Sequence, residues 1–167
     1  MRRIRLSLIF VPLVAVLVAR SGAGPLDEEP ESGHPARLHV LAIGIDRYPH
    51  LHEAEQLELA VKDVRSLVES IRTHAPAAAG SAHVTILLDE AATRRAIEQA
   101  FEDLTRAARP QDTVLVHFAG NAGEVPDDEL GVEIALWAHE TTNEARRTGQ
   151  GAGLVTLGRV GSWMTRI

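Results

Sequence analysis

D-T-V-L-V-H-F-A-G-N-A-G, residues Asp112 to Gly123, is the stretch on which the reading of this chain turns. Its first half is a nearly continuous apolar, β-branched run. Such a run suits a strand covered on both faces, as in a parallel sheet. The pattern predicts a strand over Asp112 to Phe118 and a loop over Ala119 to Glu124. Gly120 and Gly123 are expected to let the chain turn sharply there and approach a ligand closely.

The flanking segments alternate strand and helix. Leu38 to Ile45 (L-H-V-L-A-I-G-I) is a second buried-strand pattern. Ala54 to His74 carries Leu57, Ala60, Val61, Val64, Leu67, Val68 and Ile71 at three- and four-residue steps, the apolar stripe of a helix. Pro76 closes it, and Ala77 to Gly80 reads as a loop. His83 to Leu88 is another strand. Thr93 is a helix cap, and the stripe that follows is Ile97, Ala100, Phe101, Leu104 and Ala108, with Pro110 beyond its end. This βαβαβ order predicts an α/β domain, a three-layer sandwich with a mostly parallel sheet. In open sheets of this kind function gathers at the carboxyl ends of the strands. Two loops qualify: Asp46-Arg47-Tyr48-Pro49, and Ala119 to Glu124.

Four segments together resemble the caspase-like cysteine peptidases, the group that includes metacaspases. I-G-I-D-R-Y-P-H-L (Ile43 to Leu51) is similar to that family's first strand and loop. A-V-K-D-V-R-S-L-V-E-S-I (Ala60 to Ile71) resembles its A-V-N-D-A-x-x-L helix. V-T-I-L-L-D-E-A-A-T-R-R-A-I (Val84 to Ile97) resembles its second strand and following helix start. P-Q-D-T-V-L-V-H-F-A-G (Pro110 to Gly120) resembles the strand that delivers the catalytic histidine. No one piece is specific; four in order at the right spacing are more so. The match covers about half of the chain and continues faintly. Ile134 to Thr141 sits where the family has an L-L-P-x-D-type segment, and Leu154 to Ile167 resembles the helix leading to its cysteine-bearing strand.

The resemblance implies a caspase-like fold and a histidine that deprotonates a nucleophilic cysteine. Where the family carries F-S-G-H-G, this chain has F-A-G-N-A-G. Asn121 occupies the histidine position, with Gly120, Ala122 and Gly123 forming its loop. There is no cysteine anywhere in the 167 residues. The family's D-x-C-H-S-G strand is not reached, so the domain reads as truncated after the third core strand and the following helix. An asparagine has no side-chain group that titrates near neutrality and cannot act as a general base.

No other residue takes over that chemistry by pattern. His117 reads as a packed or edge histidine within its strand, without a nucleophile partner. His139 and Glu140 read as a solvated loop pair. His50 and His52, with Glu53 and Glu55 nearby, lack the spacing that closes a metal site, so no metal and no cofactor is expected. Asp46 can line a pocket for a basic substrate residue, but an acid after a strand more often caps a turn. G-Q-G-A-G (Gly149 to Gly153) follows no predicted strand and lacks the Lys-Ser/Thr of a phosphate loop, so it reads as a flexible connector. There is no G-x-S-x-G elbow.

Residues 1 to 23 read as a signal peptide. Arg2, Arg3 and Arg5 precede a largely apolar Leu6 to Ala19, and Ser21-Gly22-Ala23 supplies small residues for cleavage after Ala23. The alternative is an uncleaved anchor, and only then is a membrane a partner. A span needs roughly 20 apolar residues, and this stretch is shorter and holds Pro12. The chain is therefore expected to be exported, secreted or periplasmic. Residues 24 to 37 read as a flexible linker and residues 38 to 167 as the partial caspase-like domain. Cleavage would remove four arginines and move the formal charge from −6 to −10. So acidic a protein lacks the footprint for nucleic acid.

The functional expectations fall into three classes: a cysteine-type endopeptidase, which the missing residues make inactive as the chain stands; a non-catalytic binding or scaffold pseudopeptidase; and a fragment of a longer or degenerate peptidase gene. With its family neighbour absent, the strand Asp112 to Phe118 is expected to be an open edge, able to accept a protein or peptide partner.

Overall fold

The structure is a computed structural model that describes residues 36–74 and 82–167, together with the backbone course of residues 12–20. The basic start of the N-terminal segment, the Ala23 cleavage position, the linker at Pro25 to Pro35 and the loop at Pro76 to Gly80 lie outside the described residues. Among the described residues no helix is long and apolar enough to cross a membrane.

Among the described residues, six strands form one sheet. They are β1 (Pro12–Arg20), β2 (Leu38–Gly44), β3 (His83–Leu88), β4 (Thr113–Asp127), β5 (Gly131–Trp137) and β6 (Leu154–Thr156). The order is β3-β2-β4-β5-β6, with β1 also paired to β4. β2 runs parallel to both β3 and β4. The β1–β4, β4–β5 and β5–β6 pairs are antiparallel. Thus a parallel centre of the expected βαβαβ kind is extended by antiparallel strands.

The helices are α1 (Ala60–His74), α2 (Arg94–Ala107), the short α3 (Asn143–Thr148) and α4 (Leu157–Met164). Alternation along β2 sends Val40 and Ala42 to one face and Leu41 and Ile43 to the other. The first pair packs with Ala60, Val64 and Val68 of α1. The second packs with Ile97, Phe101 and Leu104 of α2 and with Val160 and Trp163 of α4. The three-layer α/β sandwich expected from the sequence is therefore present. Phe101 and Trp163 stack with ring centroids 4.6 Å apart, which fixes α4 against α2. Burying each large apolar side chain in these layers stabilises the fold by ~1.5–3 kcal/mol relative to exposure.

Four expectations about elements need correction. The helix predicted from Ala54 begins at Ala60 instead, preceded by a one-turn 3-10 helix at Glu53–Glu55. The reason is a cap from a distance. The Asp46 carboxylate accepts the main-chain N–H groups of Ala60 and Val61, at 2.8 and 3.4 Å, and so sets the first turn.

The predicted loop Ala119 to Glu124 is strand. β4 continues through Asn121 to Asp127, where it turns back into β5. Gly120 and Gly123 lie inside that strand and serve space rather than turning. A Cβ on Gly120 would sit 2.8 Å from the Phe118 ring and 2.9 Å from the Tyr48 hydroxyl. One on Gly123 would sit 2.9 Å from the Trp137 ring.

The third correction concerns the C-terminal segments. Leu154 to Thr156 is a strand rather than the start of a helix, and only Leu157–Met164 is helical. The connector before it has a defined course. Gly149 caps α3 in the left-handed conformation at φ 72°, packed against the Pro126 carbonyl where a Cβ would come within 1.9 Å.

The fourth concerns the edge. The outer side of β4 is occupied: Pro12 to Arg20 pairs along it from Asn121 back to Thr113. An unpaired row of N–H and C=O groups favours taking up a strand, and the apolar N-terminal segment supplies one.

At the amino-terminal ends of β2 and β4, Asp112 stands immediately before β4 and ties the strand ends together. It accepts main-chain N–H groups from Arg37 at 2.9 Å and Arg109 at 3.0 Å. It also accepts from the Arg109 guanidinium and lies 3.1 Å from His39 Nε2. Burial alone would raise its pKa, but these donors outweigh it and hold the carboxyl well below the usual range.

Candidate functional site

The carboxyl ends of the parallel strands bring together the loop after β2, the turn after β3 and the middle of β4. Asp89, after β3, accepts the main-chain N–H groups of Asp46 and Arg47 at 2.8 and 3.0 Å. It does so from the left-handed region, at φ 42°, unusual for a residue with a side chain. Gln56 holds the next part of the loop. Its Oε1 accepts from the Tyr48 N–H at 2.7 Å, and its Nε2 donates to the Tyr48 carbonyl at 3.0 Å.

This scaffold fixes Tyr48, which is fully buried, under the loop. Its hydroxyl oxygen accepts the main-chain N–H of Asn121 at 2.8 Å. Burial raises the phenol pKa; the Asn121 N–H opposes this, and the charges of Asp46 and Asp89 reinforce it. The group is a neutral phenol across the physiological range.

Asn121 is 1% exposed. Its side-chain Nδ2 donates to the Glu55 carbonyl at 2.7 Å, while Oδ1 has no partner among the described residues. The Glu55 carboxylate pairs with Arg146. The Arg146 guanidinium lies 4.0 Å over the Trp137 ring. Asn121 is thus the first member of a chain of contacts that runs through the 3-10 turn to α3 and β5.

Above Tyr48 is an open cleft of about 350 Å³, lined by Arg47, Tyr48, Pro49, Leu51, Glu53, Gln56 and His139. Asn121 and Asp46 do not line it. Asp46 is spent on capping α1 rather than facing a ligand, in line with its capping reading. Gly120, Ala122 and Gly123 flank Asn121 along the strand, as described. His50 and His52 remain at the loop surface, where His52 Nδ1 accepts the Ala54 N–H at 3.2 Å. Glu140 accepts the first N–H of α2. His139 joins the cleft, a position the sequence did not indicate. Gln56 was missed, and Tyr48 was indicated only as one residue of the loop Asp46-Arg47-Tyr48-Pro49, not as its buried anchor. Their only signal was the aromatic and the amide within D-R-Y-P-H-L and the segment after it. Among the described residues no group of three or more potential ligands comes together to hold a metal.

His117 is buried in β4, and neither ring nitrogen has a partner among the described residues. Burial lowers its pKa, against the opposing charge of Asp63. It lies within the strand, in register with Ala42 of β2.

A family model described as the caspase domain matches residues 37–145. The chain belongs to that family. Among solved structures, the crystal structure of protein GSU0716 from Geobacter sulfurreducens is similar, with a TM-score of 0.55 and 19% identity. The match covers 78% of this chain but 46% of that one, so this chain spans about half of that protein's length. At this identity the likeness concerns the fold. A comparison with curated proteins found no match.

Proposed function

We propose that this caspase-domain protein acts by binding rather than by peptide hydrolysis. One observation carries the reading: the position expected to hold the general base holds Asn121, which is buried and tied to Tyr48 and Glu55 through both its main-chain and side-chain amides. A base must reach the proton it takes and must titrate near the working pH. Asn121 meets neither condition, and the sequence offers no thiol for it to activate. The same ties make the loop and cleft around Tyr48 a rigid platform. Rigid loops at the carboxyl ends of parallel strands are good binding surfaces, because little conformational entropy is lost on contact. The basic and apolar N-terminal pattern supports an exported protein, and the partner would be an extended peptide or a protein loop.

The test combines turnover with binding. Purified protein is incubated with peptides carrying Arg, Lys or Asp at the cleavage position, and amide chemical shifts of Arg47 to Leu51 are followed by NMR. Shifts without hydrolysis are expected, and Asn121→His alone adds no turnover because no covalent route exists. Hydrolysis that is abolished by substituting a residue of this chain would overturn the reading.

A further inference from the structure

We propose that the outer side of β4, Thr113 to Asn121, is a strand-acceptor site that the chain's own Pro12–Arg20 fills in cis, and that loss of this segment opens the site to the same edge of a second copy. The inference extends the binding reading to a particular surface.

The first observation is the pairing itself. Nine consecutive residues are in antiparallel register, from Pro12 opposite Asn121 to Arg20 opposite Thr113. The opposite side of β4 is already committed to β2 over Leu38–Gly44. The outer side is therefore the one place where this half of β4 can take another strand. The second is that the occupant coincides with the apolar stretch of a signal-type segment, followed at once by small residues at 21–23. Cleavage after Ala23 would detach β1 and nothing else that the structure describes.

The third observation points to the next occupant. Thr113 to Asn121 contains no proline, no lysine and no acid; His117 is its one ionisable side chain. Turned antiparallel on itself about His117, the strand would oppose Val116 with Phe118, Leu115 with Ala119 and Val114 with Gly120. No like charges would meet, apart from His117 facing its own copy. An apolar edge with unpaired backbone and no charge to blunt it is a template for a second strand. A two-fold pairing of this kind is self-complementary and closes at a dimer.

The absence of native cysteine makes a clean test. The full chain is made by translation without membranes, so that the N-terminal segment is retained. Two variants place cysteines across the register: Val18→Cys with Leu115→Cys, and Leu17→Cys with Val116→Cys. A third, Val18→Cys with Val116→Cys, is out of register by one residue and puts the thiols on opposite faces. A disulfide within one chain is expected in at least one matched variant and not in the third. If both matched variants fail, or link only between chains, the cis occupant is wrong.

A site-specific protease sequence is then inserted between Ala23 and Gly24 of the matched variant. Cut but oxidised, the protein should sediment as a monomer, because the strand stays locked. Cut and reduced, its mass should double. A reduced, cut protein that remains a monomer at high concentration, or that pairs only with an added foreign peptide, would overturn the second-copy part. These readouts are bond formation and mass, whereas the binding reading is judged by turnover, so the two can fail separately.

Discussion

The main-chain N–H of Asn121 donates to the hydroxyl of Tyr48 at 2.8 Å, across 73 residues of sequence. The bond joins the loop after β2 to the middle of β4, and both groups are buried. Tyr48→Phe removes the acceptor and leaves the N–H unpaired. Orphaning a buried donor costs about 1–3 kcal/mol. The urea midpoint should fall accordingly with an unchanged m-value. An unchanged midpoint would mean that the strand finds another acceptor.

Two glycines with similar backbone angles separate strain from crowding. Gly131 has φ 78° with nothing within 4 Å of a would-be Cβ. Gly149 has φ 72°, but its Cβ would strike the Pro126 carbonyl at 1.9 Å. Gly131→Ala should therefore cost only the left-handed penalty, about 1–2 kcal/mol. Gly149→Ala should cost clearly more, because α3 must move away from β4. Equal losses in thermal or urea unfolding would show that α3 shifts freely.

His117 should make stability depend on mildly acidic pH. Burial lowers its folded pKa below the ordinary value of 6.5. Below 6.5 the unfolded chain binds a proton that the folded chain resists, so unfolding is favoured as pH falls. The effect is absent above about pH 7 and grows down to the folded pKa, by at most about 1.4 kcal/mol per pH unit. His117→Leu should flatten the stability profile between pH 7 and 5. A profile identical to that of the unaltered protein would rule out this group.

Asp112 acts in the same direction at lower pH, but from a different cause. Burial works against its charge, but donors from Arg109, Arg37 and His39 hold its folded pKa below the ordinary value of 3.8. Its contribution is present above pH 3.8 and is lost as pH falls toward the folded pKa. Asp112→Asn should weaken the protein at neutral pH and reduce the further loss on acidification below pH 4. The measurement is urea unfolding at pH 7, 4 and 3.

Export is expected to leave a chain that starts at or near Gly24. Mass spectrometry of the protein from its native host decides this. An intact Met1 on a cytosolic species would sink the idea, and with it the natural trigger for uncovering β4.

Local patterns carried most of the core. The three- and four-residue steps of Val64, Val68, Ile97, Phe101 and Leu104 identified which helix faces are buried, and Thr93 caps α2 as read, accepting the Ala96 N–H at 3.2 Å. What was illegible depends on partners far away in sequence. The start of α1 is set by Asp46, fourteen residues earlier. Gly120 and Gly123 read as turn residues because their real constraint, the Tyr48 hydroxyl and the Trp137 ring, is not local. The N-terminal segment carries two compatible patterns, an export signal and an apolar strand, and periodicity does not rank them. For the candidate site, Asn121 was singled out from its place in the motif, while its burial and its ties to Tyr48 and Glu55 depend on distant residues and were not legible.

β4 belongs to two pairings at once. Its first half lies between β1 and β2, and its second half pairs with β5. One continuous backbone therefore carries the parallel centre and the antiparallel extension. Opening either half first would have to break or bend that shared strand, so the two should melt as one cooperative unit. In hydrogen exchange, the amides of Val114 to Phe118 should open only with the whole molecule. Those of Gly131 to Ile134, toward the far end of the hairpin, should fray earlier. If the N-terminal segment is lost, the protected set should shrink from the outer side of β4 inward, recording in exchange rates how much of the molecule's rigidity one detachable strand supplied.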